Sequence, residues 1–316
     1  MRKGLFLFVI VAITSGVLSS CIYNIYEEVV DKTPSTPAIE TGVKFSSRIF
    51  KSNYSSTRLI GDKWDSGDTI GVYMFEKDNY TIADGGRNVK YITERGGYTG
   101  DFIAKSDIIY FPEDEREVRF MSYYPYNESV KNFIYKINVS NQISQSNLDL
   151  FYSFDRQITY CKNLQIGSVP MSFDNQMAKV VIHVRNGESL QGYDLMNMKV
   201  YFSGLSTNAD FDLISGEINN YSAVLPIYPH RLIAKNGNVY TGEAVMIPTS
   251  GISNAMIVID LNNGNEHKES DVFTWNLNKI LEKSKLYTYH VTVNNSGIKV
   301  NSTVHNWHVI LQETDV

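Results

Sequence analysis

An all-β fold is what this sequence predicts, and three observations carry that prediction. The chain of 316 residues holds 21 tyrosines and 15 phenylalanines, which suit the pleated, half-buried surface of a strand. Apolar and polar residues alternate over short stretches, and nowhere is the three-and-four spacing of an amphipathic helix sustained. Glycine-, asparagine- and serine-rich turns cut these stretches apart. A 43% hydrophobic content over this length suffices for one or two domains with proper cores, and we take it as two. The net charge of −5, with acids and bases interleaved and no block of like charge, argues against a nucleic-acid partner.

The first element is an address. Arg2 and Lys3 precede an apolar run from Leu5 to Ile13, and small residues lead to Leu18-Ser19-Ser20-Cys21, the layout of a secretory signal ending at a cysteine. The run is short for a membrane span, so an uncleaved anchor helix is the weaker reading. Leu-Ser-Ser-Cys resembles a bacterial lipobox, which implies a signal peptide over 1–20, acylation of Cys21 and attachment to outer-membrane lipid. Residues 21–42 carry Glu27, Glu28, Asp31, Pro34 and Pro37 with little pattern and read as a flexible tether. Cys161 is the one other cysteine, so an acylated Cys21 leaves it without an intramolecular disulfide partner.

Strands fill the rest. Val43, Phe45 and Ser47 alternate with Lys44, Ser46 and Arg48 ahead of Ile49, giving a leading strand whose inward face is set by Val43 and Phe45. Residues 51–63 are polar and loop-like, with Arg58 on a Ser/Thr-rich stretch. Trp64-Asp65-Ser66-Gly67-Asp68 is a turn running into the strand Ile70–Phe75. Asp84-Gly85-Gly86 and Arg95-Gly96-Gly97 punctuate a meander; Val118–Tyr124 and Ile134–Val139 alternate, and Asn147–Tyr152 closes the half. Val180, Ile182 and Val184 oppose Lys179, Val181, His183 and Arg185 in a half-buried strand expected to open the second domain, so the domains are set at 43–166 and 167–316. Further strands are expected over Met198–Phe202, Phe211–Ile218, Ala244–Ile247, Met256–Leu261 and Leu286–Val293. Asn262-Asn263-Gly264-Asn265 is a hairpin turn, and Gly297–Val300 leads to a last strand through Trp307.

No constellation for catalysis stands out. A nucleophile elbow, a P-loop and a dinucleotide fingerprint are all missing. His305 and His308 are close in sequence, but three residues apart on a strand they face opposite ways, so no metal site is expected. The oxygens of Asp260, Asn262, Asn263 and Glu266 do not follow calcium-loop spacing, and Glu113–Glu117 reads as a solvated turn. No cofactor is expected.

Taken in order, Trp64-x-x-Gly67-Asp68-x-Ile70-Gly71-Val72-Tyr73, Ile109-Tyr110-Phe111-Pro112, Tyr123-Tyr124-Pro125-Tyr126 and Phe173–Val181 resemble the fimbrillin-like surface lipoproteins of Bacteroidales. The resemblance implies two transthyretin-like β-sandwich domains in tandem, placement on the outer-membrane surface or in an extracellular pilus, and no catalysis. It further implies assembly with other pilus subunits by strand exchange. In such pilins a trypsin-like protease cuts after an arginine between the first strand and the body; Arg58 matches that place, with Arg48 and Lys51 as alternatives. Val43, Phe45 and Ile49 then mark the strand to be removed, and Ile298, Val300 and Val304 the candidate donor strand. Host protein or glycan is the implied adhesion ligand. An alternative is a lipid-anchored carbohydrate-binding module that does not polymerise, using exposed rings of Tyr123, Tyr124 and Tyr126.

Overall fold

The structure is a computed structural model that describes residues 42–48, 63–97, 99–164, 166–191, 195–235, 239–249, 254–261, 271–277 and 280–307. Cys21, Ile49, Lys51, Arg58 and the turn at 262–265 lie outside the described residues. The strands of the first half are β1 (Phe45–Arg48), β2 (Thr69–Glu76), β3 (Val89–Thr93), β4 (Thr99–Ala104), β5 (Val118–Tyr124), β6 (Ile134–Asn138) and β7 (Phe151–Ser153). After them come β8 (Val169–Ser172), β9 (Asp174–Asn175), β10 (Ala178–Asn186), β11 (Lys199–Ser203), β12 (Ser206–Asp212) and β13 (Glu217–Val224). The last six are β14 (His230–Lys235), β15 (Val239–Met246), β16 (Met256–Asp260), β17 (Val272–Asn276), β18 (Lys285–Asn294) and β19 (Gly297–Asn306). Among the described residues there is no α-helix, so the chain is all-β as its composition predicts.

An eight-stranded sheet runs in the order β8-β1-β4-β3-β2-β5-β7-β9. Its two edge strands are consecutive in the chain, joined by the buried Phe173, and Ser153 on β7 reaches the Met171 sulfur on β8 at 3.8 Å. The sheet therefore curls until its ends meet, which encloses a core of Phe45, Trp64, Ile70, Val72, Met74, Tyr91, Phe102 and Phe120. The remaining strands form a five-stranded sheet, β14-β15-β10-β18-β19, and two three-stranded sheets, β11-β16-β17 and β13-β12-β6.

Alternation explains β3, where Val89, Tyr91 and Thr93 are buried and Lys90 is exposed. It fails for β2, which is apolar from Ile70 to Phe75, because both faces of that strand are covered. Ile70, Val72 and Met74 point into the enclosed core, whereas Tyr73 and Phe75 join Met121, Tyr123 and the apolar residues of the second half in another core.

Two expectations need correction. The boundary near Ile166 does not separate the sheets: β8 and β9 complete the first sheet, and β6 of the first half pairs with β12 of the second. Backbone pairing decides this, since β8 is the parallel partner of β1 and Val169–Ser172 supplies its edge. Nor is Phe211–Ile218 one strand. The Asp212 carboxylate accepts from the Ile214 and Ser215 N–H groups, and Gly216 adopts a φ of 76°, so the chain turns there to pair β13 back on β12.

Burial of so many phenols has a consequence at high pH. Desolvation pushes Tyr73 and Tyr135 up to about 12, and raises Tyr91, Tyr123, Tyr152 and Tyr289 further. A folded pKa above the unfolded one means that the fold excludes tyrosinate, so stability is intact below pH 10 and falls as pH rises above it. In an absorbance titration at 295 nm, one group of tyrosines is expected to ionise reversibly near pH 10. The buried group should ionise only together with loss of the near-ultraviolet dichroism of the fold. Ionisation of all tyrosines in one step near pH 10, with the fold intact, would contradict this packing.

Candidate functional site: the slot that holds the first strand

Strand β1 lies between two partners that are distant in sequence. It runs antiparallel to β4, with Phe45 opposite Phe102 and Arg48 opposite Thr99, and parallel to β8, with Phe45 opposite Val169. Backbone bonds tie its start on both sides: the Val43 N–H donates to the Ile109 carbonyl at 2.8 Å, and the Val169 N–H donates to the Lys44 carbonyl at 2.8 Å. The Tyr91 hydroxyl donates to the Val43 carbonyl at 3.1 Å, and burial raises the pKa of that phenol, which keeps it a donor. Ser168 and Ser46 hydroxyls meet at 2.9 Å.

Side chains seat the strand. Phe45 is fully buried, edge-to-face with Tyr91 at 4.8 Å and with Phe120 at 5.0 Å. Val43 and Ser47 are buried on the same face, while Lys44 is exposed. Below the slot, Trp64 is edge-on to Phe102, Tyr124 and Phe173 at 4.9, 5.3 and 5.5 Å. Gly100, opposite Ser47, lets this packing close: a Cβ there would lie 2.8 Å from Trp64 Cδ1 and 2.7 Å from the Phe102 ring. Trp64 is held in turn by the polar turn read from the sequence, where the Asp65 N–H donates to the Asp68 carboxylate at 2.7 Å and Gly67 takes a φ of 96°.

Lifting β1 out would leave the facing backbone edges of β4 and β8 unpaired along four residues, above an apolar trough lined by Tyr91, Phe102 and Phe120. The far edge of β8 is different. Val169 bonds to β1, so the next residue, Pro170, turns its nitrogen away from β1, where it has no hydrogen to offer. One edge of β8 thus accepts a strand, and the other discourages one.

The candidate donor strand occupies its own place. β19 pairs with β18 over its whole length, from Gly297 opposite Asn294 to Asn306 opposite Lys285, and forms one edge of the five-stranded sheet. Ile298 and Val300 pack on the core; Val304 is exposed. Arg48 is the last residue of β1, and its pairing with both neighbours places it inside the slot rather than in a loop.

The expected aromatic platform is not there. Tyr123 is fully buried, with its hydroxyl donating to Asn88 at 2.7 Å, and Tyr124 packs on Trp64 and Phe151 while donating to Asp68 at 3.2 Å. Inward placement follows from strand parity: Met121 and Tyr123 share the β5 face that meets the second core. Glu113–Glu117 is a turn whose Arg116 bonds Glu76, Asp84 and Asp114, which accounts for those charges structurally. His305 lies on β19 and His308 outside the described residues. Sequence reasoning overlooked another pair, His183 and His290, which register brings face to face.

A family model described as fimbrillin-like matches residues 57–307. The chain belongs to the fimbrillin-like family. Among curated relatives, a candidate fimbrium subunit of Bacteroides uniformis, Fim1C, is 27% identical over 263 residues, covering 80% of this chain and 81% of that protein. The crystal structure of a candidate cell adhesion protein from Bacteroides uniformis superposes with a TM-score of 0.66 at 26% identity, covering 84% of this chain and 98% of the other. A second candidate cell adhesion protein, from Bacteroides ovatus, shares the fold with a TM-score of 0.65 at 21% identity over 86% of this chain and 99% of its own. The family match begins at residue 57, after β1, so β1 stands outside the stretch that defines membership.

Proposed function

We propose that this chain is a fimbrial subunit or fimbria-associated adhesin that works by exchange of its first strand. The carrying observation is the seat of β1: a short strand from the N-terminal end of the fold, inserted between β4 and β8 and anchored by one buried ring. Excision of such a strand creates a site that a neighbour's extended segment satisfies along its length, with backbone bonds for affinity and the Phe45 pocket for register. Cys21 acylation would hold the chain on the outer membrane, and a trypsin-like protease would cut at Arg58, with Arg48 and Lys51 as alternatives. Because Arg48 is paired within β1, Arg58, on a stretch whose sequence reads as polar and loop-like, is the preferred substrate. The C-terminal segment Ile298–Trp307 is the proposed donor, and to serve it must leave β18. No step of this function requires catalysis by this chain, or a cofactor.

Trace trypsin on the purified chain tests the proposal, with the new N-terminus read by mass spectrometry and assembly followed by gel electrophoresis without boiling. The expected result is one early cut after Arg58, release of the segment bearing β1, and a ladder of oligomers from the remaining body. Arg58→Ala should slow the cut at least tenfold and suppress the ladder. A clean cut with loss of β1 but no oligomers would leave the strand-exchange reading without support. The carbohydrate-module reading, by contrast, loses Tyr123 to the core, and Tyr124 is half-buried against Trp64.

A further inference from the structure

The outward face of the five-stranded sheet carries an arrangement that strand exchange does not use. Register sets Thr241 of β15, His183 of β10, His290 of β18 and Asn301 of β19 in one row across four strands. The two imidazoles are stacked, 4.9 Å apart and 20° from parallel, and His183 Nδ1 is 2.8 Å from the Thr241 hydroxyl. In the next row Arg185 and Lys299 flank Thr292, and the Arg185 Nε donates to the Thr292 hydroxyl at 3.2 Å. A cleft of about 380 Å³ opens over these rows, lined by His183, Arg185, Val239, His290, Val291 and Asn301.

We propose that this cleft is a binding site for an anionic sugar residue, carrying either a carboxylate or a sulfate ester, and that it binds more tightly as pH falls. Its lining offers a guanidinium, two imidazoles and a carboxamide, and among the described lining residues there is no carboxylate. The nearest acid on this face, Glu243 of β15, is committed to Lys179 at 2.9 Å. Other titratable or charged positions on the neighbouring strands are His230 of β14, opposite Glu243, Lys235 of β14, opposite Val239, and Lys299 and His305 of β19. All but Glu243 are basic, in a chain whose net charge is −5, so the patch runs against the overall charge of the molecule. Planar guanidinium and imidazole donors suit the oxygens of a carboxylate or sulfate. The Asn301 amide supplies a neutral partner for sugar hydroxyls, and the apolar side chains among the described lining residues are those of Val239 and Val291. An anion held against both imidazoles favours their protonated forms, so binding and protonation strengthen each other. The proposal stands whether or not β1 is exchanged.

Affinity electrophoresis of the purified full-length chain tests it, in gels containing dextran sulfate, polygalacturonate or neutral dextran at pH 7.5 and 5.5. Retardation is expected with a charged polymer and not with neutral dextran, with about tenfold tighter binding at pH 5.5. The two charged polymers decide between sulfate and carboxylate. His183→Asn with His290→Asn should abolish the pH dependence, Arg185→Gln should weaken binding about tenfold, and Asn301→Asp, which adds a carboxylate without changing shape, should weaken it at both pH values. Lys105→Gln removes an exposed positive charge from the other sheet and should change nothing. Thermal unfolding of each variant reports whether the sheet is intact. Equal weakening by Lys105→Gln, a pH dependence that survives the double substitution in a folded protein, or no binding to either charged polymer would overturn the proposal.

Discussion

Replacing Phe45 with alanine is expected to destabilise the protein by about 4 kcal/mol, within the range for deleting a fully buried aromatic side chain. Phe45 is the one large apolar side chain on the four-residue strand β1, and its ring supplies the contacts with Tyr91 and Phe120 that fix the strand in depth and register. Its loss leaves a cavity in the enclosed core that also holds Trp64, Phe102 and Phe120, and a close-packed core refills such a space only in part. Phe45→Leu, which keeps most of the volume, should recover more than half of the loss. Urea unfolding followed by tryptophan fluorescence measures both, because Trp64 lies in the same core. A loss under about 1 kcal/mol would mean that backbone pairing alone seats β1, and would remove the side-chain basis for register in strand exchange. The same variant should become more sensitive to trypsin, as β1 leaves its slot more often.

The second large effect concerns the end of β19. Lys179 on β10 is fully buried, pairs with Glu243 at 2.9 Å and stands 5.7 Å from the centre of the Trp307 ring. Glu243 is partly exposed, so the two partners are not equivalent. Glu243→Ala strips a buried ammonium of its counter-charge and is expected to cost about 3 kcal/mol, whereas Lys179→Met removes the charge, keeps the volume and should be close to neutral. Combining them should be no worse than Glu243→Ala alone, and a double-mutant cycle in urea checks this. Additive losses would show that the pair is not coupled. The result also bears on the donor strand: Trp307 follows β19 directly, and its backbone N–H donates to the Ser284 carbonyl at 2.6 Å, so ring and cation together close the C-terminal end of the hairpin.

Local chemistry was legible in the residues themselves. Gly67, Asp65 and Asp68 had to make a turn, because their side chains and backbone freedom satisfy one. Val43 and Phe45 had to share a face, because strand parity is fixed by covalent geometry. Alternation read the C-terminal end of β10, where His183 and Arg185 face outward, but not its start, where Lys179 and Val181 on that same face are buried as well. Where both faces of a strand are covered, as along β2 and at Tyr123, the pattern loses its meaning: apolar residues then say only that the strand is buried, not against what. Tyr123, read as a ring for sugars, is therefore a core residue.

What the sequence by itself determined is the all-β class, the turn at Trp64 and the inward face of the leading strand, since these depend on residues a few positions apart. Motif order across the chain also pointed to the family to which the residue 57–307 match assigns it. Tertiary structure alone decided the rest. It set β1 between β4 and β8, carried β6 over to β12, and laid His183 beside His290 across 106 intervening residues' worth of chain, as their numbers show. The reason is physical: backbone N–H and C=O groups are the same in every residue, so which strand meets which is chosen by cooperative core packing. The slot and the histidine cleft both lie where strands distant in sequence become neighbours.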